Sequence, residues 1–337
     1  MLFFPHNRRG RIALAATAGL AAAAALGSTA QANPAPAQAA AALPSGIAAP
    51  YLYLGWGTPP SATSVMSATG IKQFTMAFML SDGGCNPKWD GSRGLTGGTD
   101  QSTINAIRGA GGDVTISFGG WSGNKLEEKC TSASALAGAY QKVITAYKLK
   151  SIDIDIEASA VENATVRKRT VDALKIIKTN NSGVKVYLTF GTTPTGPDAN
   201  GNDLIKKGAA AGLDADGWAV MPFDYDQGAV DMAATTKSAV DGLKNSVASA
   251  YGLSSDAAYR KVGFSSMNGI TDSAGEKVTL ANFKSMVSYA TSHHLARVSF
   301  WSVNRDRKCG SGTDPDACSG ITQNSWDFTK ALAAYTG

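Results

Sequence analysis

Charge is scarce in this chain: only 17% of its 337 residues are Asp, Glu, Lys or Arg, and there is no long basic run. That argues against a nucleic-acid partner. No cysteine pair has CxxC spacing and no HExxH pattern occurs among the three histidines, so neither common zinc signature is present and no metal is expected. The longest apolar stretch, Ile12 to Leu26, is too short to span a bilayer stably. No glycine-rich phosphate turn follows the first strand-like segment, which removes the usual dinucleotide site, and no cofactor is expected. What remains is 44% hydrophobic, a globular composition with enough length for one large domain.

The first 32 residues read as an export signal. Arg8, Arg9 and Arg11 precede the alanine-rich apolar core, and Ala30-Gln31-Ala32 supplies a small-x-small cleavage site. The Arg8-Arg9 pair leaves the twin-arginine route open beside the general one. Without these three arginines the excess of base over acid falls from five to two. A Pro/Ala-rich lead-in follows over residues 33–48, and the folded domain is expected over 49–337. The mature protein is expected outside the cell, as a monomer without membrane contact. In such a compartment Cys85, Cys130, Cys309 and Cys318 are expected to pair. Of three connectivities, Cys85 with Cys130 and Cys309 with Cys318 is favoured, because the second pair closes a short Gly/Asp/Pro-rich loop.

From residue 50 onward, short β-rich runs alternate with longer helical stretches. Strands are predicted at 51–56, 73–80, 113–118, 151–157, 184–190, 217–223, 260–266 and 296–303. Helices are predicted between them, including ASALAGAYQKVITAYKL, TVRKRTVDALKIIKTNN and LANFKSMVSYATSHH. Alternation of this kind implies crossover units and a parallel sheet. Eight units in about 290 mature residues match an α/β protein of the (β/α)8 TIM-barrel type, with an open doubly wound sheet as the alternative.

One run stands out. SIDIDIE, residues 151–157, places Asp153, Asp155 and Glu157 on one face of a strand and Ile152, Ile154 and Ile156 on the other. In a barrel the isoleucines would face the helices, Glu157 would stand at the C-terminal mouth, and Asp155 and Asp153 would lie successively deeper. Carboxyls spaced about 6.6–6.8 Å apart along a strand disfavour joint ionisation, so one member is expected to be protonated near neutrality. A neutral carboxylic acid at a cleft mouth is what a general acid at a glycosidic oxygen requires. A buried hydrogen-bonded layer and an oxygen-ligated cation are the two other readings of the run.

Taken with SFGG at 117–120, MPFDY at 221–225 and FWSVNRD at 300–306, the acidic run resembles the family 18 glycoside hydrolases, the chitinases, and in particular compact secreted bacterial members. The resemblance covers nearly all of residues 50–337, with its motifs at the ends of predicted strands three, four, six and eight. It implies that Glu157 is the general acid and later the base, that Asp155 orients the substrate's N-acetyl group, and that Asp153 supports Asp155 by sharing its hydrogen bond. The nucleophile would be the substrate's acetamido oxygen, so no second carboxylate attacks. Trp301 would floor the cleaved sugar, and Gly119 and Gly120 would let substrate approach. Met221, Phe223, Asp224 and Tyr225 would line the site, with Tyr225 supplying the hydroxyl absent at Phe223.

The implied reaction is retaining hydrolysis of β-1,4 bonds between N-acetylglucosamine units, with chitin or its oligosaccharides as partner. The alternatives are cleavage of the N-glycan core and a carbohydrate-binding relative without activity. Lys150 occupies a position where many relatives have aspartate; it is expected at the buried start of the strand, far from sugar. His293 and His294 read as helix-end residues, Arg305 and Asp306 as a pair or a brace of the last loop, and Trp56 and Trp89 as linings of outer subsites. No separate chitin-binding module is expected, and hence weak action on crystalline chitin.

Overall fold

The computed structural model describes residues 46–310 and 314–337; the stretch read as an export signal and nearly all of that read as a lead-in lie outside the described residues. Eight parallel strands carry the architecture. They are β1 (Ile47–Ala48 continued by Tyr51–Tyr53), β2 (Gln73–Ser81), β3 (Asp113–Gly119), β4 (Ser151–Asp155), β5 (Lys185–Gly191), β6 (Gly217–Met221), β7 (Val262–Met267) and β8 (Arg297–Trp301). Each pairs with the next in sequence order from β1 to β8, so the fold is the (β/α)8 barrel implied by the strand–helix alternation.

Closure depends on Pro50. Upstream of it Ile47 pairs with Arg297 of β8, and downstream Tyr51 pairs with Thr75 of β2. Proline has no N–H to donate, and here its carbonyl accepts from Thr75 N at 2.9 Å while Ala49 N donates to Val298 O at 3.1 Å. One strand thus changes partner in mid-course and joins both ends of the sheet. β1 therefore starts at Ile47, inside the stretch read as lead-in.

The helices pack outside. The three quoted stretches form Ala133–Tyr147, Ala164–Asn180 and Leu280–His293. Ser132, Asn163 and Thr279 cap their N-termini with side-chain oxygens, each accepting an otherwise orphaned backbone N–H. Their apolar stripes meet the outward faces of the strands; Ile152, Ile154 and Ile156 are fully buried in this core. The disulfides are Cys85–Cys130 and Cys309–Cys318, the favoured pairing. Among the described residues no helix is long and apolar enough to cross a membrane.

Several local expectations change. Trp89 lies in a short strand, Pro87–Trp89, antiparallel to β2; its ring is fully buried and its Nε1 donates to Tyr147 Oη at 3.0 Å, so it lines no subsite. Lys150 is not buried: its side chain is 82% exposed and pairs with Asp113 at 3.0 Å. That pair belongs to the N-terminal end of the barrel, where a hollow of about 590 Å³ is also lined by Lys72, Lys185 and Tyr187. This end of a barrel serves stability, not chemistry. Arg305 and Asp306 both brace the last loop, but not each other. Arg305 donates to Asn268 O and Ile270 O, whereas Asp306 accepts from Gln323, Phe328 and Thr329. His293 ends its helix against Tyr259 and Tyr289, and His294 caps it.

Candidate active site

Alternation along β4 turns its carboxyls inward, and the barrel interior receives each differently. Asp153, the deepest, is fully buried and saturated. Tyr51 and Ser117 hydroxyls donate to its Oδ2 at 2.8 and 2.7 Å, Thr189 donates to Oδ1 at 2.8 Å, and the Arg297 guanidinium pairs with the same oxygen. Arg297 is itself buried, bonded to Thr75 and Thr189, with its guanidinium over the rings of Tyr51 and Tyr187. Asp153 is therefore an anchor paired with Arg297 and not a carboxyl sharing a hydrogen bond directly with Asp155. Tyr51 is the link between them, its hydroxyl lying 3.5 Å from Asp155 Oδ2.

Asp155 is almost as buried but poorly served: its Oδ1 has no hydrogen-bond partner. Burial first, then the charges of Glu157 and Asp153, push its carboxyl well above the usual carboxylate range, against the pull of Arg297 and Lys125. Glu157 follows just beyond the strand in extended backbone, at the N-cap position of the five-residue helix Ala158–Glu162. Its side chain makes no capping bond and stays available. Burial raises its pKa to about 7; Lys125 opposes the rise, and Asp224 and Asp153 add to it. One strand thus grades three like groups from a paired anion to a mouth carboxyl that holds its proton near neutrality.

Lys125 was not singled out in the sequence, where a lysine in a loop carries no distinguishing mark. It is buried, and its ammonium donates to the carbonyls of Trp121 and Ser122 at 2.8 Å each and of Gly123 at 3.3 Å. Burial lowers its pKa while Glu157, Glu128, Glu127 and Asp155 hold it up. With its three protons committed to carbonyls, its charge acts on Glu157 through space. Lys125→Met is expected to move the alkaline limb of the kcat–pH profile upward by about half a unit or more, and Lys125→Arg much less. A limb that stays put in Lys125→Met would remove this electrostatic role.

The remaining predicted residues divide. Trp301 ends β8, partly exposed, stacked on Phe78 with centroids 5.7 Å apart and planes at 12°, and packed on Tyr51 and Tyr53 at 5.9 and 5.8 Å. It is placed to form an apolar floor. Gly119 and Gly120 have φ of +92° and +86°; a Cβ on the first would lie 2.3 Å from the Asp155 carbonyl oxygen, and one on the second 2.8 Å from the Phe78 ring. At these glycines a side chain would collide with the protein's own strand and ring. Met221 is buried at the end of β6 and Phe223 is partly buried against the core.

Of the following pair, Asp224 is the member whose charge reaches Glu157. The Tyr225 hydroxyl is buried without a hydrogen-bond partner, and burial first, then the charge of Glu276, raises its pKa. Trp56 is exposed at the mouth, edge-on to Tyr53 at 4.2 Å, and Trp121 is 72% exposed on the loop that Lys125 holds. Arg297, Tyr51 and Phe78 were also missed, although Arg297, Ser299 and Trp301 alternate with Val298 and Phe300 and so mark an inward-facing arginine. Among the described residues no group of three His, Cys, Asp or Glu is arranged to hold a metal.

Comparison with known proteins agrees with this geometry. No family model matches the chain. It is 27% identical over 315 residues to a probable bifunctional chitinase/lysozyme of Escherichia coli K12, covering 88% of this chain and 35% of that protein. It is also 27% identical over 280 residues to endochitinase 11 of Metarhizium anisopliae, covering 79% of this chain and 53% of the other. The chain therefore spans about a third to a half of the length of these curated relatives. Among solved structures, catalytic-site mutants of active domain 2 of a thermostable chitinase from Pyrococcus furiosus, complexed with chito-oligosaccharides, superpose with a TM-score of 0.76 at 26% identity, covering 85% of this chain and 93% of that one. In barrel fold and in sequence over most of its length, the chain is thus similar to chitinases.

Proposed function

We propose that this chain hydrolyses β-1,4 bonds between N-acetylglucosamine units, with retention of anomeric configuration and with the substrate's own acetamido group as nucleophile. The observation that carries the reading is the pairing of Glu157, held protonated to about pH 7, with a buried Asp155 whose Oδ1 has no partner. Glu157 gives its proton to the leaving oxygen as the acetamido oxygen attacks the anomeric carbon, forming an oxazolinium ring. Asp155 Oδ1 accepts the acetamido N–H, which aligns the acetamido oxygen for attack. Water then enters, with the Glu157 carboxylate as base. Among the described acids no second carboxylate is required as nucleophile, and Trp301 supplies the apolar face beneath the sugar. The names of the relatives support a chitin-type substrate.

We further propose that the protein is exported with residues 1–32 removed and acts as a monomer. The basic start, apolar core and Ala-x-Ala site support export, as do two disulfides, which suit an oxidising compartment.

The test is hydrolysis of a soluble N-acetylglucosamine oligomer by the mature chain, with the anomeric configuration of the first products followed by NMR. Newly formed reducing ends in the β configuration are expected; α products would overturn the mechanism. Cleavage confined to N-glycans in a parallel assay would transfer the activity to that substrate, and binding without cleavage of either would leave a carbohydrate-binding protein.

A further inference from the structure

The loop after β6, which carries Asp224, is fastened to the loop after β7 by two carboxylates acting in opposite directions. Glu276, nearly fully buried, accepts the backbone N–H of Asp224 at 2.7 Å on one oxygen and that of Tyr225 at 3.1 Å on the other. In return Asp224 Oδ1 accepts the backbone N–H groups of Asp272 and Ser273 at 2.9 and 3.1 Å. Ser273 Oγ adds a bond to Asp226 at 2.8 Å. Asp224 and Asp226 have φ of +57° and +54°, a left-handed backbone that non-glycine residues adopt at a penalty and keep only where neighbours enforce it. Glu276 is held in turn by a short hairpin, Gly269–Ile270 against Lys277–Val278.

We propose that Glu276 is a positioning residue for the hydrolysis proposed above: its carboxylate clamps the Asp224 loop in the turn that aims Asp224 at the barrel mouth beside Glu157. The inference rests on that reading of Glu157 but goes beyond it, since among the described residues no hydrogen bond joins the Glu276 side chain to the acidic strand or to Trp301. A carboxylate is well suited to the task, because its two oxygens accept two adjacent backbone N–H groups at once and donate nothing. Glutamine has one acceptor oxygen and would point an N–H at a backbone N–H. The charges that bear on the parts are few. Glu157 feels Lys125, Asp224 and Asp153, and is itself felt by Asp155; Asp224 is influenced by Asp272, and Arg305 lies within range of both Asp224 and Asp272.

The experiment compares the native chain with Glu276→Gln, Glu276→Asp, Asp224→Asn and the Glu276→Gln/Asp224→Asn double variant. The ionisation of Glu157 is read directly from its carboxyl carbon resonance, assigned by its loss in Glu157→Gln, and kcat and KM are read on a soluble N-acetylglucosamine oligomer. In Glu276→Gln the Glu157 midpoint should fall by about half a pH unit as the Asp224 charge moves away. Turnover should drop about tenfold or more with a smaller change in KM, and Glu276→Asp should recover part of both. The double variant should be no worse than the poorer single variant, because both break one clamp.

A folded Glu276→Gln with native turnover and an unmoved Glu157 midpoint overturns the proposal, as does full additivity in the double variant. If Glu276→Gln does not fold, Glu276→Asp carries the same midpoint test. The midpoint needs no catalysis, so a native chain that cuts no oligomer sinks the hydrolase reading while the Glu157 titration still decides the clamp.

Discussion

Glutamine in place of Glu157 will cut turnover of a soluble N-acetylglucosamine oligomer by about 10²- to 10⁴-fold, the range a positioned general acid contributes, with binding retained. The side chains are nearly the same size, so the Trp301 floor and the barrel mouth persist while the transferable proton is lost. In the native chain the alkaline limb of kcat should fall near pH 7, where Glu157 loses its proton. The variant's residual activity should lack that limb. A variant with more than a tenth of native turnover, or a native limb several units from 7, would remove Glu157 from its role.

The same substitution has an opposite effect on stability. Folding raises the Glu157 pKa from 4.5 to about 7, so the native chain holds a proton that the unfolded chain has released between those values. Stability therefore falls as pH rises through that window and levels off above it. Glu157→Gln removes this penalty and should be more resistant to unfolding than the native chain at pH 8 but not at pH 4, by on the order of 1 kcal/mol after allowance for the solvent that reaches the carboxyl.

The second large effect belongs to Arg297. Arg297→Met should lower the free energy of unfolding by about 3–5 kcal/mol, because it leaves the Asp153 charge buried with only neutral hydroxyl donors. Adding Asp153→Asn should restore much of the loss, since the unpaired charge, not the missing contact, does the damage. Urea unfolding of the native, single and double variants reads this directly. If the double variant is as unstable as both single losses added together, the pair does not act as a unit. Catalysis should remain poor in the restored double variant, as the field that Asp153 adds at Asp155 and Glu157 is gone.

Much of the fold was legible because strands buried on one side announce themselves by period. Ile152, Ile154 and Ile156 against Asp153, Asp155 and Glu157 fixed the faces of β4 before any coordinates, and short apolar runs between capped helical stretches located its seven companions. β1 was harder. Its first residues merge with an alanine- and proline-rich stretch, and nothing local shows that Ile47 has a partner 250 positions away. Trp89 misled for a related reason: lysine, aspartate and glycine neighbours look like a loop, whereas its indole is taken by Tyr147, far along the chain. The acids and Trp301 were readable because their motifs are contiguous. Lys125 and Glu276 were not, because each acts on the site from a separate loop; for Arg297 the alternation of its strand marks an inward side chain but not its partner 144 residues away.

The change of partner at Pro50 sets the order in which this molecule can be finished. Ser299 bonds to the Ala49 carbonyl across a separation of 250 residues, so the seam of the barrel cannot be sewn until its last strand has left the ribosome. That same strand brings Arg297, the counter-charge for an aspartate made 144 residues earlier. Without that strand the sheet would have two unpaired edges and Asp153 would lack its arginine partner. A chain truncated before residue 297 would thus lose its seam and its internal charge balance together.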